Sequence, residues 1–274
     1  MKLFITLALF VCGSLAFPWN DVAPQIVGGR DATPHEAPYI VSVQVNRGGQ
    51  GYGHTCGGSI LSASWILTAA HCYTENLPLT APLRIVAGEH DFYITSGIEQ
   101  VRLTPNVIIH ENYVGGVAPY DIALMETETP LELIAGIVET IRLPAPGSIP
   151  TGDVQLFGWG SISMTDTPEI PDILQTVHKD ILALDLCREV LYGKYPEGTP
   201  LHFTNVCTGP LNSVITACSG DSGGPIIQGS GSTLEVVGVA SWISAFPCGA
   251  INAVTVYVRS SAFNAWVTDR TGPL

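Results

Sequence analysis

Tyr39-Ile-Val-Ser-Val-Gln-Val45 alternates apolar and polar residues. Side chains of a strand project to opposite faces in turn, so this stretch describes a strand with one face buried and one wet. Short runs rich in β-formers recur outward from it, at 59–61, 65–68, 83–86, 106–109, 122–125, 154–157, 225–227, 234–241 and 253–258. Turn residues lie between them, which indicates an all-β sandwich or barrel. Only two segments have helical spacing: 182–192, with Asp185 as its cap, and 261–268, with Phe263, Trp266 and Val267 on one side. That is too little helix for a parallel α/β sheet. A Pro-rich stretch at 128–150 separates two halves of similar size. The pattern therefore predicts two packed β-barrels.

Composition excludes several kinds of protein. Eleven Lys and Arg stand against 24 Asp and Glu, a net charge of −13. Nucleic acid needs clustered cations and is excluded as a partner. A hydrophobic share of 46% supplies a core, so the chain is not disordered. Charged residues are 13% of the chain, against a usual value of about 25%. Ser, Thr, Asn and Gln must carry much of the wet surface, and 29 glycines and 20 prolines supply the turns.

Lys2, an apolar run over 3–12 and Ser14-Leu-Ala16 describe a secretory signal peptide, residues 1–16. The run falls short of the roughly 20 residues that span a bilayer. No later stretch is long enough, so the expectation is a secreted, extracellular protein without a membrane anchor. Cys12 goes with the leader, leaving Cys56, Cys72, Cys187, Cys207, Cys218 and Cys248. An even count in an oxidising compartment predicts three disulfides. The spacings make pairing of sequence neighbours the economical arrangement. No Cys-x2-4-Cys pair exists to bind zinc.

Gly220-Asp-Ser-Gly-Gly224 contains G-x-S-x-G, a pattern for an exposed nucleophilic serine. Its α/β-hydrolase setting requires a histidine after the serine. The histidines are His35, His54, His71, His90, His110, His178 and His202, and none follows Ser222. That order is excluded. In the mature chain an acid–His–Ser order offers only Asp31 and Glu36 ahead of His71, whereas a His–acid–Ser order has many candidates. His71 sits in Leu67-Thr-Ala-Ala-His-Cys72, where a cysteine can pin the imidazole. Asp121 sits in Tyr120-Asp-Ile-Ala-Leu-Met125, a polar residue at the mouth of an apolar strand. An aspartate there is costly unless it is hydrogen-bonded.

Taken together, Ile26-Val-Gly-Gly29, Thr68-Ala-Ala-His-Cys72, Asp121-Ile-Ala-Leu124, Gly158-Trp-Gly160, Gly220-Asp-Ser-Gly-Gly-Pro225 and Ser241-Trp242 resemble the chymotrypsin-like serine proteases. The resemblance covers residues 26–274 in the right order and spacing. It implies two six-stranded antiparallel β-barrels with a short intermediate helix, a C-terminal helix and an active site in the cleft. It implies His71, Asp121 and Ser222 as a catalytic triad, with the backbone N–H groups of Gly220 and Ser222 as the oxyanion hole.

The same resemblance addresses specificity, activation and partners. Thr216 stands where trypsin-like enzymes place an aspartate, so a basic side chain would enter unpaired. With Ser241 and Trp242, Ile243 and Thr255 resemble the bulky pocket walls of elastases, which implies small aliphatic residues before the cut bond. Chymotrypsin-like preference for larger apolar residues and a non-catalytic binding homologue are the alternatives. Glu89 and Glu99 resemble the carboxylates of a calcium loop, although Ser96 replaces an acid common there. No other cofactor is implied. A propeptide, 17–25, would be cut after Gln25, and the Ile26 ammonium would pair with Asp221. His54 and Ser42 match positions that hold this aspartate in some inactive precursors. Gln25 is not a tryptic site. Protein or peptide substrates, an activating protease, protein inhibitors and a monomeric state complete the expectation.

Overall fold

The computed structural model describes residues 28–74, 83–195, 197–209 and 211–274. The expected leader, propeptide, Gln25 and Ile26 lie outside them. Two antiparallel sheets are built from the alternating segments. The amino-terminal sheet runs β6 (Gln100–Leu103), β5 (Leu83–Ala87), β2 (Ile40–Asn46), β3 (Tyr52–Ile60), β4 (Trp65–Thr68), β8 (Ala123–Glu126) and β7 (Asn106–Ile109). Its inward faces bury Val41, Val43, Ile60, Ile66, Leu67, Ile85 and Leu124. Each such side chain contributes about 1.5–3 kcal/mol.

The carboxy-terminal sheet closes on itself. Strands β9 (Asp153–Gly158), β10 (Gln175–Leu182), β11 (Asn205–Thr208), β14 (Thr255–Arg259), β13 (Glu235–Ile243) and β12 (Pro225–Gln228) form a ring sealed by the β9–β10 ladder. Strand β1 (Arg30–Asp31) adds to β10.

Against the expectation of two six-stranded barrels, only the second sheet is a closed ring of six. The first is a curled sheet of seven strands whose two edges, β6 and β7, are separated in sequence only by Thr104 and Pro105. Pro105 has no N–H for a ladder and breaks what would be one bent closing strand into two. Glu128 N donates to Leu103 O at 2.9 Å and holds the bend.

The intermediate helix is α2 (Leu184–Tyr192) and the terminal helix is α3 (Asn264–Thr271). Asp185 is not the cap of α2. Ala183 occupies that position, and Asp185 in the first turn accepts from Arg188 Nη1 at 2.6 Å. The disulfides join sequence neighbours: Cys56–Cys72, Cys187–Cys207 and Cys218–Cys248. One apolar core continues from Val41 and Leu124 of the first sheet to Phe157, Trp159 and Val239 of the second. Between the sheets, Gly57 N on β3 donates to Ser222 O at 2.8 Å.

Candidate active site

His71 opens the short helix α1 (His71–Thr74), where the Cys56–Cys72 disulfide ties the turn to β3. The first N–H groups of a helix lack internal acceptors. Asp121, just before β8, supplies one: its Oδ1 accepts from His71 N at 2.8 Å. Its Oδ2 pairs with His71 Nδ1 at 2.7 Å. Ser241 Oγ donates to the same Oδ2. The buried carboxylate thus holds both the backbone and the ring of one histidine. A neutral imidazole that donates from Nδ1 keeps its acceptor lone pair on Nε2.

Ser241 reaches Asp121 because of a bulge. Ala240 pairs with Tyr257 and Trp242 with Val256, so Ser241 is the extra residue of β13. Bulges re-aim side chains, and this one sends a hydroxyl from the second sheet to an aspartate of the first.

Ser222 lines the same cavity as His71, together with Ser241, Trp242, Ile243 and Thr255. The loop that carries it is set by close approaches. Gly160 leaves room for the Asp221 carboxylate, because a Cβ at residue 160 would overlap it. Asp221 Oδ1 accepts from Gly160 N, and Oδ2 from Cys218 N, each at 2.8 Å. Gly220 has φ +103°, a conformation that strains any side-chain-bearing residue. Among the described residues, neither Gly220 N nor Ser222 N has a hydrogen-bond partner. Burial pushes the Asp221 carboxyl up to about 6, against its two N–H donors and Lys179, which lower it.

Ser42 and His54 do not hold Asp221. Ser42 Oγ meets His54 Nδ1 at 2.8 Å, and His54 Nε2 donates to Gly220 O at 3.0 Å. Burial pushes His54 down to about 4, so the ring is neutral at ordinary pH and braces the carbonyl side of Gly220. Its ring packs beside Trp159 and Phe92.

Of the expected pocket residues, Ser241, Trp242, Ile243 and Thr255 line the cavity and Thr216 does not. Thr216 is fully buried, and its Oγ1 accepts from Gly249 N at 2.9 Å. Ile243 and Thr255 are direct cross-strand partners, which places both side chains on one wall. Phe246, 70% exposed, stands at the rim. Sequence reasoning passed over Lys179, a fully buried lysine behind this wall.

Glu89 and Glu99 line one cavity together with Asp91. Glu99 uses both oxygens to fold its own loop, accepting from Ser96 N and Oγ at 2.7 Å and from Gly97 N at 2.9 Å. Among the described residues, neither belongs to a set of three convergent ligand groups, the only such set being Cys56, His71 and Cys72. Those cysteines are disulfide-bonded and that histidine holds Asp121. Also among the described residues, no helix is long and apolar enough to cross a membrane.

The family model described as Trypsin matches residues 26–267. The chain belongs to the trypsin family of serine endopeptidases. Known relatives extend over nearly all of its length. Lectizyme of Glossina austeni is 33% identical, covering 98% of this chain and 97% of that protein. Trypsin of Xenopus laevis is 30% identical over 97% of each. Chymotrypsin-like elastase family member 1 of Felis catus is 31% identical over 96% of this chain and 95% of that one. The protease acts on protein substrates. Its relatives' names span several specificities, so its preference must be argued from its own cavity.

Proposed function

We propose that this protease cuts peptide bonds with Ser222 as nucleophile, His71 as general base and then acid, and Asp121 as the group that orients His71. The carrying observation is the 2.7 Å pair between His71 Nδ1 and the buried Asp121, with His71 and Ser222 lining one cavity. Ser222 Oγ attacks the carbonyl carbon as its proton passes to His71 Nε2, and that proton then leaves on the amine. Water repeats the sequence on the acyl-enzyme. The unengaged N–H groups of Gly220 and Ser222 receive the oxyanion, and losing one such donor costs about 3 kcal/mol.

Small aliphatic residues before the cut bond are the preferred substrates, because Ile243 and Thr255 share one wall. Among the described residues, no carboxylate side chain other than Asp221 lines that cavity to neutralise an incoming Arg or Lys. On this reading Asp221 takes the Ile26 ammonium rather than a substrate side chain.

The enzyme is secreted as a precursor and activated by cleavage after Gln25, freeing an Ile26 ammonium for Asp221. Two features support this. Among the described residues Asp221 is buried with backbone donors only, and Gly28 lies against Ile215, six residues before Asp221. Trypsin is not the activator.

Ser222→Ala decides the nucleophile: hydrolysis falls by about a million-fold while the fold persists. Undiminished turnover would refute the assignment. A peptide panel varying only the residue before the cut bond should give Ala and Val ahead of Phe, with Arg last. Preference for Phe or Tyr would establish the chymotrypsin-like alternative. Terminal sequencing of active enzyme should begin at Ile26, and tryptic release of that terminus would overturn the activator argument.

A further inference from the structure

Lys179 lies on β10 at a position where the barrel interior calls for an apolar side chain. Its neighbours His178 and Asp180 point outward, whereas Lys179 is 2% exposed. Nζ donates to Ile215 O at 3.3 Å and to Thr255 Oγ1 at 3.2 Å, both at the long end of the hydrogen-bond range. Three N–H groups thus have two weak acceptors and, among the described residues, no ion pair. A buried charge normally has an opposite charge beside it. Two titratable groups face this ammonium from neighbouring elements. Asp221, on the nucleophile loop, acts at a distance with both oxygens on backbone N–H groups. Tyr257, on β14, shares the Thr255 hydroxyl, and burial raises it further into its neutral range.

Thr255 connects the ammonium to substrate, since Thr255 lines the cavity and bonds Lys179 behind it. We infer that Lys179, seated behind Thr255 rather than among the lining residues, sets the charge at the floor of the specificity cavity, admitting a glutamate side chain before the cut bond ahead of neutral glutamine and turning lysine and arginine away. This rests on the reading that the cavity takes that side chain. A glutamate carboxylate supplies the strong acceptor the ammonium lacks and replaces one of its two long bonds. Once Ile26 neutralises Asp221, the floor is left more positive still. The inference adds a charge preference among longer side chains to the preference for small ones.

Burial pulls Lys179 down to about 7, which makes the discrimination titratable. The test uses matched peptides with Ala, Phe, Gln or Glu before the cut bond, assayed from about pH 6 to pH 9. The ratio of kcat/KM for Glu over Gln cancels the titration of His71 and the fraction of active enzyme. It should be roughly tenfold or more at pH 6, the scale of a charged hydrogen bond, and fall toward unity above pH 8. In Lys179→Met the ratio should be near unity and flat. In Lys179→Arg, which does not deprotonate, it should stay high at pH 9. If either variant fails to fold, the wild-type profile alone still decides. A wild-type ratio at or below unity at every pH overturns the role of Lys179, and leaves the small-residue reading intact if Ala still exceeds Phe. Phe ahead of Ala defeats that reading independently of the ratio.

Discussion

The amino-terminal sheet and the carboxy-terminal barrel bury charge in opposite ways. In the sheet, Asp121 accepts from His71 N, His71 Nδ1 and Ser241 Oγ, and the histidine is fixed by that one carboxylate. In the barrel, Asp221 and Lys179 are buried with weak or backbone partners, and burial pushes the acid up and the amine down. A completed pair holds a catalytic group in place before substrate arrives. An uncompleted charge is held for a group that comes later. The amino-terminal half therefore reads as prepared, and on the proposed activation and specificity the other half waits for a terminus and a substrate.

Asp121→Asn attacks the completed pair and should have the largest effect. An amide can reverse the tautomer of His71, so kcat should fall about ten-thousand-fold with little change in KM. A loss under tenfold would mean that the pair does not prepare the base. Asp221→Asn attacks the uncompleted side, and activity of the processed enzyme should fall by roughly 100- to 1000-fold through a displaced oxyanion donor. Acyl-enzyme formation followed by a burst assay measures that loss directly.

His54 belongs to the sheet but serves the barrel. Its folded pKa of about 4 lies below the ordinary 6.5. Between these values the unfolded chain binds the extra proton, so stability is full above pH 6.5 and is lost as pH falls through 4. The contribution is on the order of 3 kcal/mol. His54→Gln keeps a donor for Gly220 O and does not titrate, so the pH dependence of its chemical unfolding over that window should flatten. An unchanged slope would remove His54 from the account. Ile243→Gly has the smallest effect, raising Phe over Ala in kcat/KM by about tenfold, within the 1–3 kcal/mol scale of apolar size discrimination. Thr255 is spared in this test because its hydroxyl also accepts from Lys179 and Ala217 N.

What could be read from residues alone follows the same division. The alternation at 39–45 located β2, although its expected wet face is buried too, with Ser42 and Gln44 inside. His71, Asp121 and Ser222 were legible because short motifs surround each. Strand β10 was missed because His178-Lys179-Asp180 looks like a wet turn, and only the barrel makes Lys179 an inward residue. Strand β11 was missed because all four of its residues are buried, which leaves no alternation. The role of Ser241 depends on a one-residue slip between β13 and β14, a property of pairing rather than of composition. Thr216 was misplaced for a related reason: its offset from Ser222 is visible, but the turn that spends its hydroxyl on Gly249 is not.

The three cystine bridges each close a loop inside one half, Cys56–Cys72 in the first and the other two in the second. Among the described residues, no covalent link other than the backbone passes between the group that takes the proton and the group that gives it. A nick within 128–150 would leave two pieces separable without reductant, one carrying His71 and Asp121 and the other Ser222 and the cavity. The first piece would also carry β1, whose Arg30 and Asp31 pair with Thr176 and Gln175 of the second. That two-residue clasp, the shared apolar core, the bulged serine and hydrogen bonds such as Gly57 N to Ser222 O and His54 Nε2 to Gly220 O would keep the halves in register. Such a nicked enzyme is a natural subject for fragment complementation, with activity returning in proportion to reassociation.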